Sequence, residues 1–256
     1  MKEEQQLPSP LPLYTHADFV AGKPFRLLEG QVIAVNKPLD WTSFNVVSFF
    51  RVAVRKQLGL KKIKVGHAGT LDPKATGVLL LATGRATKCI ERLMEGSKEY
   101  VAELKLGATT PSFDTEHEED AAYPYDHITQ VLIEEQLQQM QGEQMQVPPL
   151  FSAISVKGKR AYELARKGVE HELPPKRITL KELELLSYEP PYAQLRIVCS
   201  RGTYIRSLAR DLGKALNSGG YLTELKRTCV GDLTLDEAFE IEELPELLKA
   251  ASLEVE

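Results

Sequence analysis

The chain has 256 residues, of which 43% are hydrophobic and 27% charged, and it carries a formal net charge of −4. This length allows one large core or two small ones, and no apolar run approaches the roughly 20 residues of a membrane-spanning helix. The three cysteines are scattered, so neither a disulfide framework nor a zinc site is predicted, and a reducing cytoplasm is the expected location.

The first half of the chain mixes short apolar strands with amphipathic helices. Residues 1–29 are expected to be an extension with little structure, in which Phe19–Leu28 has enough apolar side chains to pack on the surface. Ser43 is a good N-cap for the first long helix. The predicted elements are, in order, a strand, a helix, a strand, a helix and a strand: Gln31–Asn36, 43–58, Val78–Ala82, 84–94 and Lys98–Leu106.

In the second half, strands and helices do not alternate regularly, and successive strands can pair antiparallel. The predicted elements are a helix, a strand–turn–helix segment, two strands, a helix and a strand: 128–140, Phe151–Gly168, Ile178–Leu186, Gln194–Cys199, Thr203–Leu216 and Thr223–Val230. These patterns predict an α+β protein with a mixed, largely antiparallel sheet flanked by helices and loops.

The charges are distributed unevenly along the chain. Residues 232–256 hold nine acidic residues and one lysine, a local charge of −8, so the remaining residues 1–231 carry −4 − (−8) = +4. Any one basic cluster is adequately explained as a solvated face, but several beside glycine-rich loops make an anionic polymer a plausible partner. The basic clusters are Arg51–Lys64, Lys157–Arg160, Arg166-Lys167, Arg201–Arg210 and Lys226-Arg227.

The stretch Gly66–Gly77 places three glycines and one proline around a single carboxylate, Asp72. Glycine permits a positive φ and a close approach of the main chain, and proline fixes φ, so this loop is built to hold Asp72 at a defined position. Such an aspartate is often only a turn residue that caps nearby amides. The alternative is a nucleophile or general base. The spacing excludes a P-loop, and the chain shows no metal-ligand spacing.

The Gly66–Gly77 stretch resembles the signature motif of the TruB family of tRNA pseudouridine synthases. Four further blocks resemble motifs of that family and occur in the same order, so that the resemblance covers about residues 30–231. These blocks are Val35–Ser43, Lys98–Tyr100, Gln146–Tyr162 and Cys199–Arg206. Five ordered blocks are far more specific than any one of them.

The resemblance implies a pseudouridine synthase fold and the isomerisation of a uridine, usually position 55 in the T-arm of tRNA, after the base has been flipped out. It assigns catalytic roles to Asp72, Arg206 and Tyr100. Asp72 is the implied nucleophile or base, acting at the sugar C1′ or the base C6. Arg206 pairs with Asp72 and keeps it ionised, and Tyr100 stacks on the flipped uracil and assists proton removal from C5.

Substrate binding is assigned by the same resemblance to His67, Tyr100, Tyr204 and Leu225. His67 replaces stacking lost in the RNA loop, while Tyr204 and Leu225 line the uracil pocket. Considered singly, a residue of each of these types is more often an ordinary loop, core or surface side chain than a substrate-binding one. No metal or cofactor is implied, because bonds break and form within one nucleotide.

The resemblance also suggests a division of the chain into three parts: an N-terminal extension, 1–29; a catalytic domain, 30–231; and an acidic helical tail, 232–256. Since only about 25 residues follow Gly231, we expect no PUA domain, the RNA-gripping module common in the family. The expected enzyme is a cytoplasmic monomer that acts on tRNA, needs no protein partner and does not bind membranes.

A second class of function stays open on the residues alone. The basic clusters and the GxxG pattern at Gly66–Gly69 also suit an RNA-binding or tRNA-folding module in which catalysis is secondary or absent. Asp72, Tyr100 and Arg206 together argue against that alternative, because a protein that only binds RNA needs none of them. A guide-RNA-dependent synthase shares the same motifs but would normally retain a PUA domain.

Overall fold

The computed structural model describes residues 12–152, 155–156, 159–160 and 173–252. Within these ranges the chain forms two compact units, one from residues 12–97 and 227–252 and the other from residues 98–226. Most of the segment predicted within Phe151–Gly168 as strand, turn and helix lies outside the described residues, as does Arg166-Lys167. The three-part division suggested by the sequence stays a prediction.

Helices and strands alternate irregularly along the described chain. The helices are α1 (His16–Val20), α2 (Ser43–Leu58), α3 (Ile90–Leu93), α4 (Gln130–Met140), α5 (Ile205–Ala215) and α6 (Leu244–Lys249). The strands up to residue 146 are β1 (Phe25–Arg26), β2 (Val32–Lys37), β3 (Val65–Ala68), β4 (Ala75–Thr83), β5 (Lys98–Leu106), β6 (Ala108–Thr109), β7 (Ala121–Ala122) and β8 (Gly142–Gln146). The later strands are β9 (Ser155–Val156), β10 (Lys159–Arg160), β11 (Lys176–Glu189), β12 (Tyr192–Cys199), β13 (Gly220–Val230), β14 (Leu233–Thr234) and β15 (Ala251–Ser252).

The first unit is organised around β4, which is buried along most of its length. Leu80 of β4 pairs antiparallel with Ala34 of β2 and with Ala68 of β3, so β4 lies between these two strands. Helix α2 buries residues three and four positions apart, the spacing of one helical face, and packs them into the same core. Those α2 residues are Val46, Val47, Phe50, Ala53 and Val54.

The segment before β2 is more ordered than the sequence suggested. Phe25 and Leu27 are completely buried, and Tyr14 stacks on Phe239 with ring centroids 6.4 Å apart. Strand β1 pairs in parallel with β15, which follows the tail helix α6. The expectation of an extension with little structure is therefore wrong for residues 13–29, because their aromatic side chains share a core with the acidic tail.

The second unit contains an antiparallel sheet in the order β5-β12-β11-β8. Helix α4 packs on β11 and buries Ile133 and Leu137. Helix α5 buries an apolar face that includes Leu208, Ala209 and Leu212. The predicted largely antiparallel α+β architecture is confirmed.

Candidate active site

Asp72 lies in the short loop that joins β3 to β4 in the first unit. The sequence suggested one loop over Gly66–Gly77, but β3 extends to Ala68 and β4 begins at Ala75, so only residues 69–74 lie outside strands. Asp72 is half-buried, and its main-chain carbonyl accepts a hydrogen bond from Ala75 N at 3.1 Å. The hairpin therefore presents the carboxylate from a short, tightly defined turn.

The first residue of α2 anchors this loop. The hydroxyl of Ser43 accepts a hydrogen bond from Leu71 N at 2.9 Å and donates to Leu71 O at 3.1 Å. The prediction of Ser43 as N-cap is wrong, because Thr42 holds that position and exchanges hydrogen bonds with Asn45 in a capping box. Ser43 is thereby left to bind the residue that precedes Asp72.

Lys37, at the end of β2, is a second anchor of the loop and is completely buried. Its Nζ donates to the carbonyl oxygens of Pro38 at 2.8 Å, Trp41 at 2.6 Å and Pro73 at 3.4 Å. Burial lowers the pKa of Lys37 to about 8, although the nearby carboxylate of Asp72 opposes this shift. The ammonium group of Lys37 thus binds the main chain of the loop and interacts electrostatically with the Asp72 carboxylate.

Arg227, near the end of β13, is also almost completely buried in the first unit. Its guanidinium donates from Nε to Val78 O at 2.7 Å and from Nη2 to Gly69 O at 2.8 Å. These two carbonyls lie on either side of Asp72 in the sequence. Sequence reasoning placed Arg227 only in a basic cluster, and no sequence signal separates it from its exposed neighbour Lys226.

His67 lies on β3, opposite Leu81 of β4, rather than in the loop. Burial, followed by the positive charge of Arg227, lowers the pKa of the half-buried imidazole, so that the ring is neutral at neutral pH. Its Nδ1 is buried and has no hydrogen-bond partner among the described residues. A neutral ring of this kind suits stacking against a nucleobase, but that role stays a prediction.

The remaining predicted site residues lie in the second unit. Tyr100 is 8% exposed on β5, opposite Ile197 of β12. Tyr204 is the N-cap residue of α5, and its backbone N and O bind the side-chain amide of Gln146 at 2.9 and 3.1 Å. Leu225 is half-buried on β13.

Arg206 is 5% exposed in the first turn of α5. Its guanidinium donates to Ser112 O at 3.1 Å and to Phe151 O at 2.9 Å, and its Nε lies 3.6 Å from Oδ2 of the buried Asp114. These contacts fix the direction of the side chain within the second unit. The pairing of Arg206 with Asp72 stays a prediction, as do the roles of the other five residues.

Every helix among the described residues is too short or too polar to span a bilayer. No group of three or more His, Cys, Asp or Glu side chains there could hold a metal ion.

Comparison with known proteins assigns the chain to a family. The model of the TruB family pseudouridylate synthase (N terminal domain) matches residues 55–205. The tRNA pseudouridine synthase B of Phocaeicola vulgatus is 56% identical over 226 residues, which are 88% of this chain and 96% of the relative. The protein of the same name from Chlorobaculum tepidum is 45% identical over 227 residues, 88% of this chain and 94% of the relative.

Solved structures agree with the family and with the fold. The chain matches one in an archaeal box H/ACA sRNP Nop10–Cbf5 complex with a TM-score of 0.61 and 27% identity, covering 86% of this chain and 54% of the other. A chain of a Cbf5–Nop10–Gar1 complex matches with a TM-score of 0.63 and 31% identity, covering 84% and 53%. This chain therefore spans about half the length of those solved chains.

The family model and the similar relatives define a pseudouridine-forming isomerase, as the sequence predicted. The chain belongs to the TruB family of pseudouridylate synthases.

Proposed function

We propose that this chain converts the uridine at position 55, in the T-arm of tRNA, to pseudouridine. The observation that carries the proposal is the anchoring of the Asp72 loop by Ser43, Lys37 and Arg227, which bind the main chain at three residues of the loop and at Val78 of β4. The similar relatives are named as tRNA pseudouridine synthases, which supports tRNA as the substrate. The enzyme acts as a cytoplasmic monomer without a protein partner.

The reaction requires a uridine that has left the RNA stack, at a cost of ~ a few kcal/mol. The N1–C1′ bond breaks, the uracil turns, and a C5–C1′ bond forms, while C5 loses a proton and N1 gains one. Atoms and electrons balance within one nucleotide, so the reaction needs no co-reactant. Asp72 attacks C1′ or C6 as a nucleophile. Attack at C1′ displaces N1, and the new bond to the carboxylate breaks when C5 attacks C1′. Addition at C6 saturates the C5–C6 bond, and the carboxylate leaves C6 when the C5 proton is lost and that double bond forms again.

The other residues bind and orient the flipped nucleotide. The family resemblance assigns Arg206 as the partner of the Asp72 carboxylate, and it assigns Tyr100 to stacking on the uracil and to removal of the C5 proton. Tyr204 and Leu225 line the uracil pocket. His67, with its neutral ring, fills the space that the flipped base leaves in the RNA.

The experiment is pseudouridine mapping in unmodified tRNA after incubation with wild type and with Asp72→Asn. The substitution keeps the size of the side chain but removes the reactive carboxylate, so the rate should fall by at least about 1,000-fold, equivalent to about 4 kcal/mol. Asp232→Asn, an exposed change in the same unit, is the matched control and should retain the wild-type rate. No product with wild type, or full activity in Asp72→Asn, would refute the proposal.

A further inference from the structure

Two main-chain positions that flank Asp72, Gly69 and Val78, bind the same buried side chain. Arg227 is 2% exposed, and taking a guanidinium out of water costs several kcal/mol unless its donors are satisfied. Nε and Nη2 are satisfied by the carbonyls of Val78 and Gly69. The planar fork of arginine thereby ties together two main-chain positions that lie nine residues apart along the chain.

The glycines of the motif support the same conclusion. A Cβ at Gly77 would lie 2.1 Å from the carbonyl oxygen of Arg227 and 2.8 Å from its nitrogen, so only glycine allows β4 to approach Arg227 this closely. A Cβ at Gly69, where φ is +77°, would lie 3.4 Å from Nη1 of the same side chain. Gly77 therefore accommodates Arg227, a reason for its presence that the sequence alone did not reveal. At Gly69 a Cβ would only touch the guanidinium, and the positive φ is what favours glycine there.

Arg227 also contributes charge at this position. Burial is the main cause of the lowered pKa of His67 and of Lys37, and the positive charge of Arg227 adds to both shifts. The first unit therefore places the imidazole of His67 and two cations, Lys37 and Arg227, near the Asp72 hairpin. Of these three side chains, Arg227 is the one that binds the main chain both before and after Asp72.

We infer that Arg227 is a positioning residue for the isomerisation: its fork holds both limbs of the 69–78 hairpin and thereby fixes the Asp72 carboxylate for attack. The inference rests on the proposed function. It predicts that loss of the fork lowers kcat without weakening tRNA binding, because Arg227 acts on the nucleophile's position. A displacement of about 1 Å can cost about 100-fold in rate.

The test compares Arg227→Lys, which keeps a positive charge but loses the fork, with Arg227→Met, which loses both. Steady-state kinetics on unmodified tRNA should show kcat reduced about 10- to 100-fold in Arg227→Lys and at least as much in Arg227→Met. KM should stay within about threefold of wild type. Leu248→Ala is the control: it truncates a core side chain of the same unit and costs about 2–5 kcal/mol of stability. Assayed well below its melting temperature, this variant should have the wild-type kcat.

A second measurement keeps the inference falsifiable should the variants fold poorly. The Leu71 amide, bound to Ser43 Oγ, should exchange its hydrogen slowly in the wild-type protein and faster in Arg227→Lys, with exchange in the second unit unchanged. Wild-type activity in Arg227→Lys, an equal loss of kcat in Leu248→Ala, or unprotected Leu71 in wild type would overturn the inference. Failure of the proposed function is distinguishable, because wild type itself would then form no product.

Discussion

At the residue scale, two buried cations hold the main chain around Asp72. Lys37 binds the carbonyl of Pro73, immediately after the carboxylate, and Arg227 binds those of Gly69 and Val78. Buried cations bound to carbonyl oxygens are costly to desolvate but directional once in place. The loop therefore has little freedom to move Asp72, as its proposed role as nucleophile requires.

Lys37 gives this arrangement a measurable pH dependence. Its pKa is about 8 in the folded protein and near its ordinary 10.5 once unfolded, so above pH 8 the unfolded chain holds more protons. The free energy of unfolding of wild type, relative to Lys37→Met, should therefore rise with pH between about 8 and 10.5, by at most about 1.4 kcal/mol per pH unit. Denaturant titrations of both proteins at pH 7, 8, 9 and 10 measure the difference.

Below pH 8 Lys37 is protonated in both the folded and the unfolded wild-type protein. The difference in the free energy of unfolding between wild type and Lys37→Met should therefore not change with pH there. Titrations common to the two proteins cancel in the subtraction. A difference that stays constant up to pH 10, or that falls, would mean that Lys37 is not held in the buried environment described here.

The sequence pointed to Asp72 because glycine and proline around a carboxylate, within five ordered blocks, form a pattern of side chains. It did not point to Arg227, because both of its partners are main-chain carbonyls and every residue has one. Lys37 stood within a matched block, but its burial depends on the register that pairs it with Gly77. A side chain that binds main-chain groups of a distant strand cannot be recognised from the composition of the sequence or from the spacing of its motifs.

At the element scale, the junction between α2 and the loop combines two functions in adjacent residues. Thr42 caps the helix, and its side chain accepts from Asn45 N, whereas Ser43 binds both main-chain groups of Leu71. Helix α2 is itself fixed by its buried apolar face. The position of Asp72 is thereby connected to the core of the first unit.

The pair Thr42→Ala and Ser43→Ala separates these functions. Ser43→Ala leaves the buried Leu71 N–H without its partner and should cost about 1–3 kcal/mol of stability together with a reduced kcat. Thr42→Ala removes a cap and should cost about 1 kcal/mol with kcat unchanged. Thermal unfolding and steady-state kinetics on both variants are the measurements. Equal effects on kcat would show that the hydroxyl of Ser43 does not position the loop.

Elements with strong periodicity were predicted well. Helix α2 ends at Leu58, and β5 spans Lys98–Leu106 with the alternating burial that the sequence indicated. Strands β3 and β8 were missed, since β3 has only four residues and one is glycine, while β8 is polar and pairs only with β11 among the described strands. Their pairing partners, rather than their own composition, make them strands.

At the scale of the whole molecule, the acidic tail is part of the first unit's core. Leu244, Leu247 and Leu248 are completely buried, while Glu242 and Glu246 face solvent. The nine acidic residues of 232–256 thus include surface charges fixed on the unit that carries Asp72, and the other 231 residues have a net charge of +4. Fixed negative charges on an RNA-binding protein oppose the approach of a polyanion.

The double variant Glu242→Gln/Glu246→Gln tests this opposition. Removing two negative charges should tighten tRNA binding by about two- to fivefold in 50 mM salt, and the gain should shrink as the screening length falls from about 10 Å at 0.1 M to about 3 Å at 1 M salt. The measurement is Kd as a function of salt, with kcat expected to stay at the wild-type value. Glu242→Asp/Glu246→Asp keeps both charges and should bind as wild type.

The sign of the change distinguishes two roles of the tail. If the tail only repels RNA, the gain in affinity follows the salt dependence of a screened charge and disappears at high salt. Weaker binding in the Gln variant would mean that these carboxylates contact the RNA or organise groups that do. Because the aspartate control conserves charge but shortens both side chains, an equal change in both variants would assign the effect to side-chain contacts rather than to charge.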